Sequence, residues 1–166
     1  HISELESPNG RFQFIKNSKG PSILIDYAHT PDALENVLKT IKEFKVKGKI
    51  ISLFGAGGNR DKKKRFFMGE IASKYSDKII LTSDNPRNED PLDIINDIQL
   101  GIRNNKKIII NADRKSAIKS AIHNADSNDI ILIAGKGHEN YQEINEKKYP
   151  FDDKLVVNRI LNLMKI

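Results

Sequence analysis

The chain has 166 residues, 38% of them hydrophobic, and its 28 Lys and Arg outnumber its 22 Asp and Glu to give a net charge of +6. That length allows one domain with a buried core and is too short for two large ones. No apolar run is long enough to span a bilayer, so we expect no membrane insertion. The absence of cysteine excludes disulfides and thiolate metal sites, and it fits a reducing compartment such as the cytoplasm.

The positive charge is spread along the chain and does not predict a nucleic-acid surface. Lysines are scattered over helical segments and turns, and there is no Trp. The one dense basic run is "RDKKKR", from Arg60 to Arg65, and it opens a predicted helix. Cations there oppose the helix dipole, so the run is either a solvated face or the place of an anion.

Apolar and helical segments alternate along the chain. Six apolar segments predict β-strands over residues 11–15, 22–26, 49–54, 78–82, 107–111 and 129–134. Helical periodicity lies between them, over residues 31–44, 62–75, 91–102, 115–123 and 154–164, and residues 140–151 predict a surface hairpin. The strands are rich in Ile and do not alternate, which is typical of strands buried on both faces. The order predicts a Rossmann-like α/β fold: a doubly wound, mostly parallel six-stranded sheet with helices on both faces.

Four of the predicted strands run directly into polar loops. The loops read "YAHTPD", "GAGGNRD", "SDNPRNEDP" and "GKGHEN". In a parallel sheet these loops share the carboxyl edge, where ligands of such folds bind. We therefore expect a ligand site there.

Taken singly, the motifs leave several functions open. "GAGGNRD" has Arg60 at the third glycine position of a dinucleotide fingerprint, and "GKGHEN" lacks the spacing of a phosphate loop. An NAD(P)-binding Rossmann domain and a stand-alone small-molecule-binding module remain as alternatives. His29 and His138 are candidates for catalysis or for structural hydrogen bonds, and neither has the neighbours of a metal site. Asp26, at the exposed end of a strand, is either a ribose ligand or a helix cap.

Four segments carry a family resemblance when they are taken in order. "DYAHTPDAL", "GAGGNRDKKKR", "TSDNPRNEDP" and "AGKGHENYQ" resemble the C-terminal domain of the Mur ligase family, from about residue 5 to the end. "DNPR" and "GKGHE" resemble most the members that add a diamino acid as third residue of the peptidoglycan stem peptide. "DNPR" also points away from the folate polyglutamate ligases, which share the architecture.

The resemblance implies an ATP-dependent ligase that joins meso-diaminopimelate, or a close diacid such as lanthionine, to UDP-MurNAc-L-Ala-D-Glu through an acyl phosphate. It implies the residues that hold the diamino acid: Arg60, Asp84, Asn85, Pro86, Arg87, Gly135 and Glu139. These types suit a ligand with an amine and a carboxylate at each end, because guanidinium groups bind carboxylates and acids bind ammonium groups. Pro86 fixes the backbone between Asn85 and Arg87.

The resemblance also implies that Arg11, Asp26 and His29 lie against the nucleotide, although the usual Pro-Gly-Arg reads "NGR" here. Family members have an N-terminal UDP-sugar domain and a central ATPase domain that binds most of the ATP and Mg²⁺. Neither domain matches any part of these 166 residues. We therefore expect residues 1–166 to form the third domain alone, without catalytic or metal-binding residues of its own, and to be inactive in isolation.

Overall fold

The computed structural model describes residues 11–44 and 46–165; residues 5–10, where the resemblance begins, lie outside the described residues. A six-stranded sheet has the order β1-β2-β6-β3-β4-β5. Its strands are β1 (Gln13–Ile15), β2 (Ser22–Asp26), β3 (Ile50–Phe54), β4 (Lys78–Leu81), β5 (Lys107–Ile110) and β6 (Ile130–Ala134). All neighbours are parallel except β1 and β2, which are antiparallel. The predicted Rossmann-like fold is confirmed.

Helices cover both faces of the sheet. They are α1 (Pro31–Glu43), α2 (Lys63–Tyr75), α3 (Pro91–Gln99), α4 (Arg114–Asn124) and α5 (Asp153–Met164). One core joins α1, α2 and α3 to strand residues such as Leu24 and Leu132, and the other joins α4 and α5 to their neighbours Ile23 and Ile131. Successive residues of a strand point to opposite faces, so a strand that is covered on both faces takes apolar residues at most positions.

The predicted element bounds agree with the structure to within two residues, except at the end of one helix. Helix α3 ends at Gln99, whereas periodicity extended it to residue 102. Strand β5 was predicted to be buried, and this is wrong: Ile108 and Ile109 are half-buried and Ile110 is exposed. An edge strand has a neighbour on one side only, and this position is not encoded in the apolar run itself.

The helix starts follow local sequence. Thr30 Oγ1 accepts a hydrogen bond from the Ala33 amide, and Pro31 begins α1. Asp90, Asp113 and Asp152 accept in the same way at the starts of α3, α4 and α5, whereas α2 has no side-chain cap. The predicted hairpin is β7 (Tyr141–Ile144) with β8 (Lys147–Pro150). No helix of the described ranges is long and apolar enough to cross a membrane.

Candidate ligand site at the carboxyl edge of the sheet

The four polar loops meet at one edge through backbone hydrogen bonds. The Gly135 amide donates to the Asp26 carbonyl over 3.0 Å, which joins the loops after β6 and β2. The Gly58 amide donates to the Asn85 carbonyl over 2.8 Å, which joins the loops after β3 and β4. Residues far apart in sequence therefore lie at one surface, as the parallel topology requires.

The loop after β4 holds Arg87 in an unusual conformation. Asp84, Asn85 and Pro86 are buried, and Arg87 has a φ of +52°. The hairpin fixes this conformation, because the Arg87 amide donates to the Glu143 carbonyl and the Asn145 amide donates to the Arg87 carbonyl, each over 3.0 Å. A left-handed backbone is unfavourable for a side-chain-bearing residue and is often found at functional sites.

The two predicted arginines flank Gly57. A Cβ built on Gly57 would lie 2.9 Å from Arg87 Nη1 and 3.6 Å from Arg60 Cγ, so a side chain there would fill the space between them. Arg87 Nε donates to Glu143 over 3.1 Å, and Nη1 donates to the Gly58 carbonyl over 2.9 Å. Arg60 is exposed and donates to its neighbour's carbonyl at Asn59. One guanidinium is thus held rigidly and the other faces solvent.

The acidic residues lie on the other side of the loop, around a buried lysine. We define the acid cluster as Asp84, Asn85, Lys136 and Glu139. Lys136 Nζ donates to Asn85 Oδ1 over 2.9 Å and to Glu139 Oε2 over 3.3 Å, and Asp84 Oδ1 lies 3.6 Å away. Sequence reasoning missed Lys136. Its position inside "GKGHE" was the available signal.

Gly135 allows the acid cluster to close. Its φ is +114°, which side chains rarely adopt, and a Cβ built there would lie 2.6 Å from Asp84 Oδ2. The structure therefore places the seven residues named for the diamino acid around one loop. Asp84, Asn85, Glu139 and Gly135 form its acidic side, and Arg60 and Arg87 its basic side, with Pro86 between them.

Arg11, Asp26 and His29 line one cavity of about 420 Å³, called the β2 cavity here. Asp26 Oδ2 accepts from the Phe12 amide and Oδ1 accepts from the Ala28 amide, each over 2.8 Å. Burial raises the pKa of Asp26 even though both hydrogen bonds favour its ionised form. Asp26 is half-buried and not exposed as predicted, and Thr30 caps α1, so the helix-cap interpretation of Asp26 is wrong as well. Its role as a ribose ligand stays a prediction.

Tyr27 connects the β2 cavity with the acid cluster, and sequence reasoning missed it. Its ring lies 4.6 Å from that of His29 and 5.8 Å from that of His138, measured between centroids. Burial raises the pKa of Tyr27, and the Glu139 and Asp84 carboxylates raise it further. His29 Nδ1 donates to the Tyr27 carbonyl over 2.9 Å, which is the structural hydrogen bond considered for this histidine.

The basic run contains one buried residue, Arg65, whose guanidinium pairs with acidic side chains of the same chain. Its guanidinium donates to both Glu89 oxygens, to Asp97 and to the Gly57 carbonyl over 2.9 to 3.1 Å. Glu89 also accepts from the Asn59 amide, and hydrogen bonding to Arg65 lowers the pKa of Glu89 to about 2. Lys62 and Lys63 are exposed, whereas Lys64 is half-buried and donates to the His29 carbonyl. This network ties the backbone of the loop after β3, at Gly57 and Asn59, to Glu89 in the loop after β4.

A second buried ion pair joins the loops after β4 and β6. The fully buried Arg114 makes two hydrogen bonds of 2.8 Å to Asp153. The same guanidinium donates to the Ser83 carbonyl over 3.0 Å and to the Ala134 carbonyl over 3.2 Å. These carbonyls directly precede Asp84 and Gly135, so Arg114 sets the spacing of the two loops that form the acid cluster.

Two further features of the described residues concern metal binding and a second cavity. No three His, Asp or Glu side chains within residues 11–44 and 46–165 are grouped to bind a metal. A larger cavity of about 820 Å³ lies between α4 and α5, and apolar residues such as Phe151, Leu155 and Ile160 line it. None of the ligand-site residues predicted from sequence lines this α4–α5 cavity.

The chain was then compared with known proteins. The model of the Mur ligase glutamate ligase domain matches residues 10–137. The chain belongs to the Mur ligase family. A UDP-N-acetylmuramoyl-L-alanyl-D-glutamate–2,6-diaminopimelate ligase of Aquifex aeolicus is 59% identical over 152 residues, which cover 92% of this chain and 31% of that relative. The enzyme of the same name from Clostridioides difficile is 54% identical over 94% of this chain and 32% of its own length.

Solved structures agree with the family assignment. A structure of a UDP-N-acetylmuramoyl-L-alanyl-D-glutamate–2,6-diaminopimelate ligase superposes with a TM-score of 0.90 and 43% identity, over 98% of this chain and 33% of that chain. A bifunctional folylpolyglutamate synthase/dihydrofolate synthase has a TM-score of 0.61 and 20% identity over 79% of this chain and 29% of that chain, which shows a shared fold. The chain spans about a third of the length of the relatives it matches. Membership of this family does not favour the NAD(P)-binding alternative.

Proposed function

We propose that residues 1–166 form the amino-acid-binding, C-terminal domain of an ATP-dependent ligase. The whole protein would add meso-diaminopimelate, or a similar diamino diacid, to UDP-MurNAc-L-Ala-D-Glu through an acyl phosphate. Its UDP-sugar domain and central ATPase domain would lie outside this chain. ATP and UDP-linked precursors are cytoplasmic metabolites, so we propose that the reaction takes place in the cytoplasm.

One observation carries the proposal: two guanidinium groups and two carboxylates meet at the edge where ligands of this fold bind. Arg60 and Arg87 flank Gly57, and Asp84 and Glu139 lie on the other side of the same loop. A free amino acid end carries one carboxylate and one ammonium group, and it needs both signs of charge within a few ångströms. A solvated turn has no such requirement.

The β2 cavity supports a nucleotide beside the amino acid. Asp26 uses one lone pair of each oxygen for backbone amides, and the remaining lone pairs can accept from ribose hydroxyls. Arg11 supplies a cation for phosphate, and Ala33 and Val37 of α1 supply apolar surface. When bound, ATP supplies the phosphoryl group that activates the acceptor carboxylate. We propose that this chain holds one side of the nucleotide and that the central domain holds Mg²⁺.

Phosphate release by the full-length protein tests the proposal. With ATP, Mg²⁺ and UDP-MurNAc-L-Ala-D-Glu, we expect release to depend on added meso-diaminopimelate, and we expect a tripeptide product by mass spectrometry. The 166-residue chain alone should release no phosphate, because the residues that stabilise phosphoryl transfer lie elsewhere. Turnover that ignores the diamino acid, or turnover by this chain alone, would contradict the assignment.

A further inference from the structure

Lys136 is fully buried, which is rare for lysine unless its charge is paired. It follows Gly135 directly after β6, and its ammonium lies among three residues that the proposed function gives to the ligand. Nζ also lies 5.6 Å from the centre of the Tyr141 ring. The acids proposed to receive the ligand's ammonium group therefore already share a cation of the chain.

The charges of the acid cluster can be counted. Asp84 and Glu139 bring two negative charges and Lys136 brings one positive charge, which leaves one net negative charge. One ligand ammonium group neutralises that remainder. Without Lys136 two carboxylates would stand together with a single ligand cation, and an uncompensated charge in a poorly solvated place is costly.

Lys136 also fixes the amide group of Asn85. Asn85 Oδ1 accepts from Lys136 Nζ and, over 3.0 Å, from the Glu143 amide. Asn85 Nδ2 donates to Glu139 Oε2 over 3.2 Å. The lysine thus determines that the oxygen of the amide points inward and that its nitrogen meets the carboxylate.

We propose that Lys136 is a positioning residue that sets the charge of the acid cluster at minus one, so that the site accepts one ammonium group. This inference rests on the proposed function. It is a statement about charge, so it predicts that removing one acid compensates for removing the lysine. A purely structural lysine would give no such compensation.

The test uses the full-length protein and the variants Lys136→Met, Glu139→Gln and the double variant. Each single change should lower kcat/KM for meso-diaminopimelate by at least about tenfold, through KM for the amino acid, with KM for ATP within about twofold. The double variant restores the net charge, so its kcat/KM should exceed that of Glu139→Gln by about tenfold. If Lys136→Met does not fold, the comparison of Glu139→Gln with the double variant still decides.

Lys148→Met is the matched control, because the exposed Lys148 also lies over the Tyr141 ring, at 4.5 Å, and its loss changes the net charge equally. It should leave both KM values unchanged. If the losses of kcat/KM from the two single variants multiply in the double variant, while the wild-type protein still turns over meso-diaminopimelate, the role proposed for Lys136 is wrong. Absence of that wild-type turnover would instead overturn the proposed function.

Discussion

The acid cluster and the β2 cavity lie side by side and are built differently. Asp84, Asn85 and Lys136 are buried, and the Lys136 ammonium contacts the side chains of Asn85, Glu139 and Asp84. At the β2 cavity, by contrast, Arg11 and His29 are exposed, and Asp26 bonds to backbone amides alone. The first region is a preformed cluster of charges, and the second is a partly exposed wall.

We expect the acid cluster to determine which amino acid binds. Preformed charges lose little freedom when a ligand binds, so they discriminate between similar ligands. An exposed wall needs a second surface before it excludes water from a nucleotide. We therefore expect substitutions around the acid cluster to alter the choice of amino acid, and substitutions around the β2 cavity to alter ATP use.

The largest effect should follow removal of Arg114, which would disorganise the acid cluster. Arg114→Met leaves Asp153 buried without its cation, so we expect a loss of about 3–5 kcal/mol in the free energy of unfolding. Urea denaturation measures it. Arg114→Met with Asp153→Leu should lose less than the single change, and the exposed neighbour Lys115→Met should lose almost nothing. A single variant as stable as wild type would contradict the structural role given to this pair.

Replacing Arg87 should affect the use of meso-diaminopimelate more than the use of an amino acid that lacks a carboxylate at the end remote from the reacting amine. Lysine lacks the far carboxylate, so Arg87→Ala in the full-length protein should lower kcat/KM for meso-diaminopimelate by roughly two orders of magnitude and affect lysine far less. Glu143→Gln removes the ion-pair partner of Arg87 and keeps the guanidinium, which makes it the control. Equal falls for both amino acids would mean that Arg87 only shapes the loop.

The ion pair between Glu89 and Arg65 should make the stability of the protein depend on pH. Its pKa is lowered to about 2 in the folded protein from an ordinary value of 4.5, so its stabilising contribution is present above pH 4.5 and is lost as the pH falls toward 2. Glu89→Gln should cost about 1–3 kcal/mol at pH 7 and progressively less between pH 4.5 and 2. Urea unfolding across this range measures it, with Asp93→Asn as an exposed control. A cost independent of pH would refute the assignment.

Asp26 should give the smallest loss of stability and a clear effect on ATP. Asp26→Ala removes two hydrogen-bond acceptors from backbone amides, and the burial cost of the carboxylate offsets part of that loss, leaving about 1 kcal/mol. KM for ATP in the full-length protein should rise while KM for the diamino acid stays the same. Loss of stability with unchanged nucleotide kinetics would make Asp26 a structural residue only.

Much of the fold could be predicted because its signals are local. Ile-rich runs define the strands, and Thr30 and Asp90 with the prolines that follow them define helix starts. The edge position of β5 could not be predicted, because it depends on which strand is its neighbour. The order of the strands along the chain does not by itself determine which strands are neighbours in the sheet.

The site residues could be predicted where they belong to a sequence motif. They could not be predicted where contacts between residues distant in sequence hold them in place. Arg65 and Arg114 stand at or near helix starts, where a cation is locally unfavourable. Their partners Glu89 and Asp153 lie 24 and 39 residues away, so local rules misjudge both arginines. The left-handed backbone of Arg87 likewise depends on the hairpin that pairs with it.

A crystal structure of the full-length protein with meso-diaminopimelate would show whether the diamino acid binds between the two arginines and the acid cluster. We expect the far carboxylate within about 3 Å of the guanidinium group of Arg60 or Arg87, and the far ammonium group at the same distance from Asp84 or Glu139. We also expect Lys136 to keep its contact with Asn85. Density for the amino acid in the α4–α5 cavity, with the acid cluster unchanged and empty of ligand, would contradict the proposed function.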